Sequence, residues 1–237
     1  MVWFSCGAAS AVTAMLTLEK HPDAVLVYCD TMNTEHPDNP RFMADVEQWL
    51  GVKVKIIRST RHASVDAVIE KERYMSGPAG AKCTVEMKKI PRFKFQRADD
   101  IHIFGYTSEE RKRATRFEAN NPELRLEWPL ISSGVTKARC FQILIAAGIK
   151  LPAMYGLGFK NNNCLGCVKA SSPKYWDLVR KTFPDVFAKR VAQSEELGVK
   201  LVNLKGKRIA LKDLPETDYS QYPLPNISCG PECSPEE

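Results

Sequence analysis

No apolar run in the 237-residue chain approaches the roughly 20 residues of a membrane-spanning helix, so no membrane partner is expected. The start, Met-Val-Trp-Phe-Ser, has no basic segment ahead of an apolar core. No secretory signal is therefore expected, and the protein is expected in the cytoplasm. No internal repeat and no low-complexity tract is present, which sets aside repeat arrays and compositionally biased segments. Charge of one sign is not in large excess either: 34 Lys+Arg against 28 Asp+Glu leave a net +6. That mildly basic balance suits a polyanionic ligand such as a nucleotide and permits nucleic acid without demanding it. With 44% hydrophobic and 26% charged residues the composition is that of a soluble globular chain, long enough for one large domain or a domain with a tail.

What the chain does have is cysteine, eight in all. In a reducing compartment clustered cysteines serve as metal ligands or catalytic thiols more often than as disulfides. It also has short apolar runs at 2–4, 24–29, 52–57 and 101–105, separated by helix-length segments. Runs apolar on both faces indicate a parallel sheet covered on both sides, an α/β fold with an open, mostly parallel, doubly wound sheet. Helices are expected over 41–50, 65–74, 108–120 and 135–147. Another spans 83–95, interrupted at Pro91, and a helical region covers 173–197. In such sheets ligands sit beyond the carboxyl ends of the strands. Three polar stretches occupy those ends: 5–10, 30–37 and 106–113.

The first of these organises the rest. Ser5, Cys6, Gly7, Ala8 and Ser10 form a turn of small residues between a strand and an Ala-rich helix. Unpaired N–H groups and the positive end of the helix dipole favour an anion there, and small side chains let a phosphate approach the backbone. The alternative is an ordinary strand–helix turn. Basic residues come in two groups, Lys82/Lys88/Lys89 and Arg111/Lys112/Arg113, read either as phosphate ligands or as solvated helix faces. His36 is an adenosine contact or a plain surface residue. Cys164-Leu-Gly-Cys167 is a Cys-x2-Cys knuckle in which Gly166 allows both sulfurs to face one ion. Cys83 and the Cys229/Cys233 pair are candidates for the remaining ligands; a redox dithiol is the alternative, and spacing alone favours zinc. Cys6, Cys29 and Cys140 read as small buried hydrophobes.

Together these motifs resemble the phosphoadenosine phosphosulfate (PAPS) reductase-like branch of the PP-loop ATP pyrophosphatase superfamily, over residues 2–170. The family pattern Ser-Gly-Gly-x-Asp-Ser stands here as Ser5-Cys6-Gly7-Ala8-Ala9-Ser10, departing at Cys6 and Ala9. Asp30 and Thr31 end the second strand, where family members meet the adenosine. Cys83-Thr-Val-Glu-Met-Lys88-Lys89-Ile-Pro91 matches a Cys-x4-Lys-x2-Pro segment. Gly105 with Arg111 and Arg113 is similar to the stretch whose arginines hold sulfate or phosphate. The resemblance implies an enzyme of sulfur chemistry that binds ATP or PAPS, as an oxidoreductase or an ATP-dependent sulfurtransferase. It implies a [4Fe-4S] cluster on Cys83, Cys164, Cys167 and Cys233, with zinc as the alternative and Cys229 exchangeable with Cys233 as fourth ligand. It further implies a catalytic thiolate at Cys229 or Cys233 attacking a sulfonate sulfur. The family's Glu-Cys-Gly-x-His tail appears here as Ser228-Cys229-Gly230-Pro231-Glu232-Cys233. The partners implied are an adenine nucleotide, a thiol reductant or a nucleic-acid acceptor, and a second copy of the chain. The expected organisation is a PP-loop-type nucleotide-binding α/β domain over 1–130, a helical region bearing the knuckle over 131–215, and a Pro-rich, cysteine-bearing tail over 216–237. A non-catalytic nucleotide- or nucleic-acid-binding protein with a structural metal is the alternative.

Overall fold

The four apolar runs become parallel strands in the computed structural model, which describes residues 1–77, 80–227 and 231. They are β1 (Val2–Trp3), β2 (Leu26–Cys29), β3 (Val54–Ile57) and β4 (Ile101–Phe104), joined at the edge by β5 (Arg125–Glu127). The order is β3-β2-β1-β4-β5 and every neighbouring pair is parallel. Val2 is in register with Leu26 on one side and Ile103 on the other. Successive side chains point to opposite faces. Val2, Leu26, Tyr28, Val54 and Ile103 therefore enter one apolar cluster, and Trp3, Val27, Cys29 and Phe104 another. Burial on both faces is why β1 and β2 carry no charged residues, whereas β3, at the sheet edge, exposes Lys55 and Ile56.

Helix α1 (Ala8–Lys20) follows β1 directly. Ala8, Ala11, Val12 and Ala14 are fully buried, and their small side chains let the helix lie close against the sheet. Phe42 and Val46 of α2 (Asn39–Leu50) complete the same cluster. The opposite face is covered by Ala114 and Phe117 of α5 (Arg111–Asn120) and Ile131 of α6 (Pro129–Ser132). Cys140 and Leu144, on α7 (Lys137–Ala146), return to the first cluster beside α1. Thr136 caps α7, its Oγ1 accepting the Arg139 N–H at 3.2 Å.

A third apolar cluster lies under α3 (Val65–Glu72), α4 (residues 82–95) and α9 (Pro173–Thr182). Helix α4 runs through Lys82–Thr84, a π-helical turn Val85–Lys89, and Ile90–Phe95. The expected interruption at Pro91 is absent. A proline in a regular helix interior lacks an N–H and its ring strikes the carbonyl four residues back, costing about 3 kcal/mol. Here the preceding turn is widened, the Ile90 N–H reaching Val85 O, and the chain passes Pro91 without breaking. The helical region at 173–197 resolves into two helices, α9 and α10 (Pro184–Glu196), because Pro184 starts a new helix after Phe183 leaves helical geometry. Trp176 of α9 is fully buried and its Nε1 donates to Ala170 O at 2.8 Å. A hairpin, β6 (Val202–Leu204) and β7 (Lys207–Ile209), closes this cluster. Among the described residues no helix is long and apolar enough to cross a membrane.

Candidate functional site

The sheet order reverses between β1 and β4, the two strands whose chains leave in opposite lateral directions. In open α/β sheets a crevice forms at the carboxyl ends of such a pair. Here the turn at residues 5–10 leaves β1, and Gly105 leaves β4. An added Cβ at Gly105 would lie 2.9 Å from both Ser10 N and Ser10 Cα. Only glycine lets these two loops meet. Between them opens a cavity of about 330 Å3 lined by Ser5, Gly7, Ser10, Lys88, Gly105 and Arg113, among others. Six of the eleven residues expected at a nucleotide site are thus brought to one place.

The turn is held in shape by its own side chains. Ser10 Oγ accepts the N–H groups of Ser5 at 3.1 Å and Gly7 at 3.2 Å and donates to Gly7 O at 2.9 Å. The Ala8 N–H donates to Tyr155 Oη at 3.3 Å, Tyr155 being carried by the short helix α8 (Ala153–Gly156). Burial pushes the Tyr155 phenol up to about 12, so it stays neutral. Cys6 adopts φ 58°, the left-handed region that favours glycine, which is what the PP-loop pattern has there. Cys6 points away from the cavity. It is fully buried, its Sγ donates to Asn39 O at 3.5 Å, and burial raises its thiol well above the ordinary range.

Four basic side chains line the cavity, Lys88, Arg113, Lys137 and Lys160. Arg113 Nη1 donates to Glu110 Oε1 at 2.9 Å, and its guanidinium lies 4.4 Å from the Tyr106 ring centre, itself stacked on Trp128. Arg111 takes a different direction: it is exposed and its Nη2 donates to Ile131 O at 3.3 Å, outside the cavity lining. Lys137 joins the site with no mark in the local sequence. Its Nζ donates to Asn161 Oδ1 at 2.5 Å and to Lys160 O, and lies 5.4 Å from the Tyr155 ring centre. Burial lowers its pKa to about 8, with Glu110 opposing and Lys160 adding to the shift. Asp30 and Thr31 also lie outside the lining. Asp30 receives Arg58 Nε at 2.7 Å, and buried Thr31 donates to Glu35 Oε1 at 2.6 Å. Glu35, not Asp30, is the carboxylate that reaches the cavity from the β2 end. Ala8 is buried behind the turn, and His36 packs against Phe183 with its Nδ1 accepting the Asp38 N–H.

The asparagine run 161–163 joins three parts of the chain. Asn162 Nδ2 donates to Cys6 O at 2.7 Å and Asn39 Oδ1 at 2.9 Å, fixing the turn. Asn161 and Asn163 donate to Ile227 O at 3.2 and 2.8 Å, and Asn161 also to Asn226 Oδ1 at 3.0 Å. Asn226 in turn donates to Glu110 Oε1 at 3.2 Å, so the described tail crosses the cavity rim.

Immediately after this run comes the knuckle. Gly166 adopts φ +59°, and a Cβ there would lie 2.8 Å from Val186 Cγ1. The glycine thus serves both the turn and its packing on α10. Cys83, Cys164 and Cys167 are all buried in the third apolar cluster. Thr34 Oγ1 lies 3.4 Å from Cys164 Sγ, one residue from the cavity-lining Glu35. The Cys167 N–H donates to Tyr175 Oη at 2.8 Å, and Arg190 Nε to Gly166 O at 2.9 Å. Cys6, Cys29 and Cys140 are buried elsewhere, in the clusters on the two faces of the sheet. Cys229 and Cys233 lie outside the described residues. No protein-family model matches the chain, and no curated protein matches it.

Proposed function

We propose that the chain is an adenine-nucleotide-binding enzyme of the PAPS reductase-like type, performing sulfur chemistry beside a buried cysteine centre on a doubly wound sheet. The observation that carries this reading is the cavity at the β1/β4 reversal. It brings a helix N-terminus, Lys88, Arg113 and Lys137 to one anion-sized space, with the cysteine cluster adjoining it through Thr34–Glu35 and the 161–163 run. Its volume of about 330 Å3 falls in the range of small-molecule sites. Ser10 fixes the turn, Arg113 and Lys137 take the anionic end of the ligand, and Tyr155 shields the first turn of α1 from water.

Three thiols in one apolar, buried cluster, with a left-handed glycine between two of them, fit a thiolate-bound centre. Cys83, Cys164 and Cys167, with Cys229 or Cys233, would hold it; a [4Fe-4S] cluster supplies electron or sulfur transfer, whereas zinc supplies only structure. The remaining tail thiolate attacks the substrate's sulfonate sulfur as the sulfur–oxygen bond breaks and the nucleotide phosphate departs with its electron pair. A thiol reductant then regenerates the enzyme. In the sulfurtransferase form ATP activates an acceptor, nucleic acid included, and a cysteine or the centre delivers sulfur.

One observation favours a second reading, a non-catalytic nucleotide- or nucleic-acid-binding protein with a structural metal. The amides of Ser5, Gly7 and Ala8 are engaged by Ser10 and Tyr155, and Ala9 stands where the family pattern has Asp. Anaerobic purification followed by iron and sulfide analysis, with calorimetry against ATP, AMP and PAPS, separates the two. Enzyme chemistry predicts nucleotide binding, a cluster, and either sulfite release from PAPS or sulfur transfer that depends on ATP. No binding of any of the three nucleotides by folded protein refutes the enzyme reading and the nucleotide-binding form of the second; absence of nucleic-acid binding as well refutes both.

A further inference from the structure

Away from the cavity, three elements converge on a second buried polar group. His62 lies in the loop after β3, held by its N–H to Ser59 Oγ at 3.3 Å. Glu72 ends α3, and Glu86 projects from the π-helical turn of α4. His62 Nε2 is 3.1 Å from Glu72 Oε1 and 3.5 Å from Glu86 Oε2, and the three ligand atoms all lie within 4.8 Å of one another. The side chains of His62 and Glu86 are only 2% and 1% exposed. Yet neither ring nitrogen of His62, nor Glu86 Oε2, makes a hydrogen bond among the described residues. His62 Nε2 and Glu86 Oε2 thus meet charged groups without hydrogen-bond geometry, and a buried polar atom without a hydrogen bond is costly and calls for a ligand.

We propose that His62, Glu72 and Glu86 form a binding site for a divalent transition-metal ion, separate from the cysteine cluster. One imidazole and two carboxylates are a ligand set for zinc, a borderline ion, and for manganese, a harder one that favours the carboxylates. Ligands about 2.0–2.1 Å from a tetrahedral ion stand about 3.3–3.4 Å from one another. The separations of 3.1 and 3.5 Å bracket that spacing. Two cations already face these carboxylates. Arg61 Nη1 is 3.1 Å from Glu86 Oε2 and its Nη2 3.6 Å from Glu72 Oε1; Lys82 Nζ is 3.4 Å from Glu72 Oε2 and 3.5 Å from Glu86 Oε1. Arg61 thus touches the same two oxygens that face His62. Its side chain is 55% exposed and can swing into water, so it balances the carboxylates without the ion and yields to it. Lys82 meets the outer oxygens and stays beside the bound ion. The π-turn contributes directly, since it sets Glu86 toward His62, and such turns recur at functional sites.

The test is Mn2+ binding to the full-length protein, read by loss of the free-ion electron paramagnetic resonance signal. Manganese prefers oxygen and nitrogen to thiolate, which keeps it off the cysteines. We expect one Mn2+ per chain, bound at least about tenfold more weakly after His62→Ala or Glu86→Gln. Arg61→Ala, at an exposed side chain that leaves the fold intact, should bind Mn2+ more tightly because a competing cation is gone. Absence of Mn2+ binding by folded wild type, binding indifferent to His62→Ala, or weaker binding after Arg61→Ala would each overturn the proposal.

Discussion

Two glycines flank the cavity, and the geometry assigns them opposite roles that a pair of alanine substitutions separates. At Gly105 an ideal Cβ lies 2.9 Å from Ser10 N and Cα and 3.2 Å from Ala9 C, backbone atoms all. Ordinary contact begins at 3.4 Å, so the first turn of α1 must retreat by about 0.5 Å. Forcing a methyl into packed backbone costs about 1–3 kcal/mol, and the stiffer unfolded chain returns about 0.4–1 kcal/mol. The net expectation for Gly105→Ala is a loss of about 1–2 kcal/mol, or about 2–8 °C in Tm for a domain of this size. At Gly7 the added Cβ meets only Tyr155 Oη at 3.5 Å and Ser5 Oγ at 3.8 Å, and φ is −108°, open to any residue. Gly7→Ala should therefore match or slightly exceed wild type in Tm. Its methyl nevertheless occupies the space a phosphate needs, so nucleotide affinity should fall about tenfold, close to 1.4 kcal/mol. Differential scanning calorimetry and isothermal titration with ATP read both quantities. A Gly105→Ala protein as stable as wild type would refute the close-approach argument, and a Gly7→Ala protein with unchanged affinity would show that the turn is not the phosphate seat.

Three further expectations follow from the site. Arg113→Ala should weaken nucleotide binding by about 1–3 kcal/mol, the worth of a charge-assisted contact, while Arg111→Ala leaves it unchanged; equal effects in titration calorimetry would contradict the placement of the two arginines. Lys137 is held near pKa 8 by burial, so its charge, and with it anion affinity, should fall as pH rises from 7 to 9, and Lys137→Arg should flatten that profile. The unfolded chain, with an ordinary lysine, holds more protons between about pH 8 and 10.5, so this group's contribution to stability rises with pH in that window; a fall there in wild type relative to Lys137→Arg would reverse the argument. Cys164→Ala should abolish metal content by elemental analysis and lower Tm, since metal binding couples to folding, whereas Cys140→Ala retains the metal.

The legible strands are those with a run of apolar residues: β1, β2 and β4 are largely buried, and β3 is marked by Val54, Ile56 and Ile57 although it lies at the sheet edge. The elements that the sequence does not mark are short, between two and four residues, and several lie where burial is partial. Arg125-Leu-Glu127 has one apolar residue between two charges because β5 is an edge strand, and Lys207-Arg208-Ile209 sits exposed in a hairpin. Arg111 and Arg113 read as one anion grip in the sequence, but residues two apart on a helix point in different directions. Lys137 and the asparagine run were a different matter. They come from more than half the chain's length away, and nothing local marks a helix-start lysine or three turn-forming asparagines as site residues.

The widened turn of α4 acts as a phase-setting insertion. Each residue of an α-helix advances the side-chain direction by about 100°. Upstream of the turn the helix presents Cys83 to the cysteine cluster; within it, Glu86 and Lys88 face two different sites; downstream, Pro91 and Arg92 are buried. Deleting any one residue at 85–87 would restore a regular helix and rotate Cys83 against Lys88 by roughly a quarter turn. Either the thiol would leave its cluster or the lysine its cavity. The spacing from Cys83 to Lys88 to Pro91 is therefore a length that the fold cannot shorten, and an aligned sequence lacking one position there should lack one of the two sites.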